Sequence, residues 1–388
     1  MDVLMPTFRP QAFWLFFPAA ALLAAAAVPL SVWAVLGGGG WPSGLLNTGH
    51  GHEMIFGFAL ALIAGYTLGR QSPERLYLLF ALWLAARISW WFMPDTLLAN
   101  ALSPAFALAL AAVVLPRFHA AKKWRNKMVG PLIGTVAIMA VAFGLSRTAI
   151  WQSDLAELGP FRIMHAAIIG LLLLMTFMGG RILAPSVANT LDKKGVALNA
   201  RLQPRMEGTL IILLAAALLF SLIPPLRHAS GALLVAAALV TAIRLTRWKL
   251  WRCLERPDLM VFAVGYSWLV VGGLLSGIAL LSGRSMSASL HMITIGALGT
   301  LAGSVMLKLA WQRACRQWPP AKRTVPLAIA IGAATLLRFV AGTEPFSHPQ
   351  ILWCSAALWA GAWLLMALEL LRLSKMARQR VATSTASA

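Results

Sequence analysis

HEMIFGFALALIAGYTLGR, the stretch from His52 to Arg70, opens on a histidine and a glutamate and then carries no charge until its last residue. As an α-helix it would rise about 28 Å, close to the roughly 30 Å of a bilayer's hydrocarbon core. The same plan recurs in HAAIIGLLLLMTFMGGRIL from His165 and in HMITIGALGTLAGSVMLKL from His291. Each begins with His, has Gly five residues on (Gly57, Gly170, Gly296) and closes in a cation (Arg70, Arg181, Lys308). The helix following each member also ends in Arg, at Arg87, Arg227 and Arg338. A four-helix unit used three times explains this, with repeat units at about 1–127, 128–256 and 257–388 of one polytopic membrane domain.

The rest of the chain fits that frame. Of its 388 residues 60% are hydrophobic and 12% charged, and the apolar residues come in runs about 20 long, which excludes an ordinary soluble domain. Helices are expected near 13–36, 50–69, 75–92, 97–116, 128–150, 160–184, 208–225, 229–248, 259–282, 287–310, 325–341 and 350–372. The loops between them alternate in charge. Arg70 with Arg75, Arg117 to Lys127, Arg181 to Arg205, Arg244 to Arg256, Lys308 to Arg323 and Arg372 to Arg380 fall on one side. The opposite side carries the uncharged 37–49 loop, Asp95, Asp154 with Glu157, Arg227, Arg284 and Glu344. By the positive-inside rule the basic side, with both termini, is cytoplasmic, and the expected fold is all-α with twelve transmembrane helices in a bacterial inner membrane. The net charge of +21 is thereby a topology signal, and no nucleic-acid partner is implied. The first apolar stretch is long enough to span and shows no clear cleavage site, so it is expected as a retained helix. Cys253, Cys315 and Cys354 are isolated, which excludes covalent c-type haem attachment.

An ionisable residue inside a span marks a site by default, and His52, His165 and His291 share one depth near the outer face. Neutral imidazole is the common axial ligand of haem iron and also suits copper. Helices two and ten are expected to offer His52 and His291 to a b-type haem between them, with His165, and less surely His228, for a second metal or distal role. Haem propionates need cations, and Arg87, Arg162, Arg284 and Arg338 lie on the outer side; helix-end snorkelling is the alternative for these four. His50 lies about 200° from His52 around a helix, so His52 is preferred as ligand and His50 kept as a candidate in the same segment. Glu53 is read as an acceptor orienting an imidazole, or as a proton carrier. The Gly residues at five lie about 140° round an α-helix from each His and thin it for packing. Met54, Met164 and Met292 flank the histidines as core residues or soft copper ligands, and His119 and His348 read as loop residues.

GHGHEMIFGF, with His50, His52, Glu53 and Met54, resembles the H-x-H-E-M signature of the NnrS family, and RIMHAAIIG and HMITIGALGTLAG resemble its later histidine segments. The resemblance implies haem b, copper, and a part in nitric oxide tolerance and denitrification. More distantly, the chain is similar to subunit I of haem-copper oxidases and nitric oxide reductases, whose three pseudo-equivalent sets of helices carry metal-binding histidines on even-numbered members. It departs from them in having one His on helix ten and no adjacent His pair on helix seven, so a full binuclear centre is not expected. Nor are there deep carboxylates in helices nine to eleven for proton pumping. The readings that follow are a haem protein that binds or reduces nitric oxide with an electron donor, a twelve-helix secondary transporter, and a noncatalytic haem or copper carrier or gas sensor. Transporters commonly pair six-helix halves around a midplane site, whereas this repeat is of four and its polar cluster peripheral.

Overall fold

Proline opens five of the helices, at Pro73, Pro160, Pro204, Pro257 and Pro349, where its missing N–H is one that no helix could use. Thr96 caps another, its Oγ accepting from the Ala99 N–H at 3.2 Å. The computed structural model describes residues 11–148 and 156–386; Asp154 lies outside them. In chain order the helices are α1 (Phe13–Leu36), α2 (48–67), α3 (Pro73–Phe92), α4 (Leu97–His119), α5 (Trp124–Ser146) and α6 (Pro160–Asp192). They continue as α7 (Pro204–Ser221), α8 (Arg227–Arg247), α9 (Pro257–Leu281), α10 (Ser287–Cys315), α11 (Ala321–Val340) and α12 (Pro349–Ala386). Among the described residues there is no strand, only an isolated bridge between Gln11 and Arg70.

Ten of these twelve are long and apolar enough to cross a membrane, and the chain is a multi-pass membrane protein. The two that fall short are α2, whose α-helix is interrupted, and α3, which carries Glu74, Arg75 and Arg87. Two helices run well beyond their expected ends. Past Arg181, α6 buries Leu183, Val187 and Leu191 at a four-residue spacing, which keeps one face packed to Asp192. Past Arg372, α12 continues in good helix formers such as Lys, Met, Ala, Arg and Gln.

Two compact units divide the chain: Met1–Thr148 with Trp363–Ala388, and Ala149–Ala362. In the first, α1 packs on α2 and α4 on α5, around a core that includes Phe16 against Phe80, Trp83 and Phe106. In the second, α8 lies against α9. A Cβ at Gly231 would fall 2.8 Å from the Gly277 carbonyl oxygen, and one at Gly277 2.7 Å from that of Gly231. Only glycine lets two backbones come this close.

Candidate functional site

In the first unit α2 begins at Thr48, so both histidines of GHGHE are helical and project to different sides. The Ser31 hydroxyl donates to the Val28 carbonyl at 2.7 Å. Its oxygen lies 3.1 Å from His50 Nδ1, which must therefore carry the proton. His52 turns inward, 1% exposed, with its ring stacked on Trp90 at 3.5 Å between centroids and with Phe56 and Phe143 around it. Trp90 is fixed by its Nε1–H on the Gly44 carbonyl at 2.7 Å and by the Arg147 guanidinium 5.1 Å from its ring. Arg147 is held in turn by Asp95 at 2.8 Å.

Glu53, fully buried, gathers three donors. Arg87 Nη1 reaches its Oε1 at 2.8 Å, Trp91 Nε1 its Oε2 at 2.8 Å, and His52 Nδ1 stands 3.1 Å from Oε1. Arg87 gives its Nη2 to Ser103 Oγ, so its fork is committed to Glu53 and Ser103 rather than turned to the outer surface. The proton of His52 belongs on Nδ1, facing a carboxylate oxygen, which leaves the lone pair on Nε2.

Directly after His52 the helix changes type. Residues Glu53–Ala59 form a π-helical segment before α-helix resumes at Leu60. In the second unit, Met292–Ala297 form a second π-helical segment directly after His291. Such segments are rare and concentrate at functional sites. The wider turn closes i to i+5 bonds, so Gly57 and Gly296 swing back toward the histidine's own side of the helix rather than sitting about 140° away as in an α-helix. A Cβ at Gly57 would lie 2.5 Å from Arg87 Nη1, and one at Gly296 2.8 Å from the Trp268 ring. His291 is half-buried, and its Nδ1 lies 2.7 Å from the Ser287 carbonyl oxygen. A carbonyl only accepts, so here too the ring proton is on Nδ1.

His165 is half-buried on α6, under the positive charges of Arg227 and Arg162, and the helix around it is α throughout. His228, the second residue of α8, is exposed, as are His119 and His348. Arg338 is buried and donates to the Gly342 carbonyl at 3.0 Å, while Arg284 is exposed with its carbonyl accepting from Arg227. Among the described residues no group of three or more His, Cys, Asp or Glu is placed to hold a metal ion.

A family model described as NnrS protein matches residues 7–378. The chain belongs to the NnrS family. No curated protein and no solved structure matches it.

This NnrS protein holds a second buried ion pair that the sequence does not announce. In its second unit Arg244 Nη2 meets Glu207 Oε1 at 2.7 Å, with both side chains almost wholly buried. Arg244 Nη1 donates to the Tyr266 hydroxyl at 3.2 Å, and that hydroxyl donates to the Thr176 carbonyl at 3.0 Å. By sequence Arg244 counts as one more cation of a basic loop, and Glu207 stands just ahead of the helix expected at 208–225. A carboxylate and an arginine on successive antiparallel helices, α7 and α8, at matching distances from their shared loop end is the signal that finds such a pair.

Proposed function

We propose that this NnrS protein binds haem b through the histidines that open α2 and α10, and that it handles nitric oxide there. The observation that carries the reading is the shared local build of His52 and His291. Each precedes a π-helical segment, and each commits Nδ1 to an oxygen, which presents Nε2 as the donor nitrogen. Ligating histidines are ordinarily fixed in this way. Haem iron, when bound, supplies nitric oxide binding and electron exchange. The chain's own part is to orient and enclose. Glu53 fixes the His52 tautomer, Arg87 and Trp91 hold Glu53 still through their hydrogen bonds, and the Trp90, Phe56 and Phe143 rings exclude water. Arg162, Arg284 and Arg338 are the cations for propionates, with Arg87 acting through Glu53. His165 with His228 is the proposed place of a further metal, copper by family resemblance. We set the histidine ends on the outer side of a bacterial inner membrane, where an uncharged gas arrives through lipid. We also keep the reading of three four-helix repeats, which the matched π segments of α2 and α10 support.

The purified protein should give a b-type pyridine haemochrome spectrum. His52→Ala or His291→Ala should abolish or shift the Soret band, and His119→Ala should leave it unchanged. The two ligands lie in different units, and their separate spectra decide whether one haem takes both. Colourless protein that takes up no haem on reconstitution, or wild-type spectra from both ligand variants, would overturn the reading. Nitric oxide added anaerobically to the reduced protein should move the Soret band. Nitrous oxide formed with an electron donor present marks a reductase, and a spectral change without it marks a sensor or scavenger.

A further inference from the structure

At the end of the second unit that carries its basic loops, α6, α9, α10 and α11 leave a narrow pocket that is partly open to the surface. Its walls are partly apolar, including Leu183, Leu259 and Phe262, and its polar groups are Lys308, Ser186, Ser304, Thr324 and Asp258. The charge balance in it is uneven. Arg256 clasps Asp258 with two parallel bonds, Nε to Oδ1 and Nη2 to Oδ2, both at 2.8 Å. That pair is internally neutral and satisfied on both carboxylate oxygens. Lys308 also feels the Asp258 charge, so the two cations and one carboxylate leave one net positive charge beside the pocket. The Lys308 Nζ donates to Ser186 Oγ at 2.9 Å and rests 5.0 Å from the Trp318 ring, beside the Arg256 guanidinium at 4.3 Å from the same ring. The Ser186 hydroxyl proton is spent on the Ile182 carbonyl at 2.8 Å, so Ser186 fixes the ammonium without neutralising it.

An ammonium has three N–H donors, and a half-buried cation that shares its carboxylate with a second cation is costly unless an anion completes it. The Thr324 hydroxyl lies 3.5 Å from both carbonyls it faces, those of Pro320 and Ala321, at the limit of a hydrogen bond, and can turn to a ligand. A hydroxyl and an ammonium held in a pocket beside a second, stacked cation is a donor set for tetrahedral oxyanions. Basic pockets between membrane helices on the cytoplasmic side commonly take lipid head groups.

We propose that this pocket binds a phosphate group, held by Lys308 and Thr324, at the membrane surface of the basic side. The phosphate belongs either to an anionic lipid head group or to a free phosphorylated ligand, and one experiment separates the two. The delipidated full chain in detergent is melted with dioctanoyl phosphatidylglycerol, with inorganic phosphate, or with dioctanoylglycerol, which has the same tails and no phosphate. Dioctanoyl phosphatidylglycerol should raise the midpoint and dioctanoylglycerol should not. An equal rise with inorganic phosphate assigns a free ligand, and no rise with it assigns the lipid. Lys308→Met should raise the half-effect concentration about tenfold, the scale of one charge-assisted bond, while Lys308→Arg retains the response. Thr324→Val leaves the contacts of Lys308 intact and should weaken the response even if Lys308→Met does not fold. A wild type stabilised by neither phosphate compound, an equal response to dioctanoylglycerol, or unchanged responses in Lys308→Met and Thr324→Val would overturn the proposal.

Discussion

Glu53 is a carboxylate buried in the apolar part of α2, and three donors hold it there: a guanidinium, an indole and an imidazole. Taking away either member of a buried pair strands the other, at a cost of roughly 3–5 kcal/mol. Glu53→Gln and Arg87→Met should therefore each lower the unfolding midpoint in detergent sharply. The double variant should lose much less than the two losses added together, because neither change then leaves a buried ion behind. Equal additive losses would mean that the two residues do not act as a pair. The same cycle on Glu207 and Arg244 should show the same coupling, since their burial and their 2.7 Å separation match. What could be read from sequence at this scale follows contrast. His52 and Glu53 stand out because nothing else near them is polar, and the contact between them follows from that adjacency. Arg87 stands out as an arginine outside the basic loops, but its partner does not show, because the contact spans thirty-four residues. Trp90, Trp91 and Ser103 have no signature on apolar helices, and Arg244 is hidden among loop cations.

At the scale of the element, twelve helices lie close to where runs of apolar residues place them, because length against bilayer thickness is a coarse rule that local chemistry rarely breaks. The π segments are the part that does not show. EMIFGFA and MITIGA contain no proline and no run of small polar residues, and the extra residue is accommodated by tertiary contacts. One of these is visible. Trp83 donates its indole N–H to the Gly57 carbonyl at 2.9 Å, inside the first π segment. Trp83→Phe keeps an aromatic side chain but a smaller one and removes that donor, so it should cost at least about 1–3 kcal/mol and speed amide hydrogen exchange over 53–59. Exchange there unchanged from wild type would separate Trp83 from the π turn. A methyl group added by Gly57→Ala would press on Arg87 Nη1 at 2.5 Å and Leu23 Cδ2 at 2.9 Å. It should cost about 1–3 kcal/mol as overpacking, and in combination with Arg87→Met the loss should shrink, since the crowded guanidinium is gone.

For the whole molecule the number of helices that cross sets the topology. The loop charges imply twelve crossings, whereas length and composition mark ten, and the two in doubt, α2 and α3, are consecutive. That adjacency matters, because one false span would invert every later loop, while a consecutive pair that dips in and out together would invert nothing beyond itself. Only the α2–α3 connection would change sides. Ser72 is exposed in that connection, and Ser43, Asp95 and Arg284 are exposed at the opposite ends of the helices, with Lys122, Lys193 and Arg378 exposed at the basic ends. Each can be replaced by cysteine, one at a time, in a chain whose Cys253, Cys315 and Cys354 are serine, and probed in intact cells with a membrane-impermeant maleimide. Positions 43, 95 and 284 should label from outside, and 122, 193 and 378 only after permeabilisation. Position 72 decides the count. Labelling only after permeabilisation means that α2 and α3 both cross, so that His52 and Glu53 sit on a true span. Labelling from outside would make them the walls of a re-entrant pair, and the positive-inside reading of Arg70 and Arg75 would fall with it.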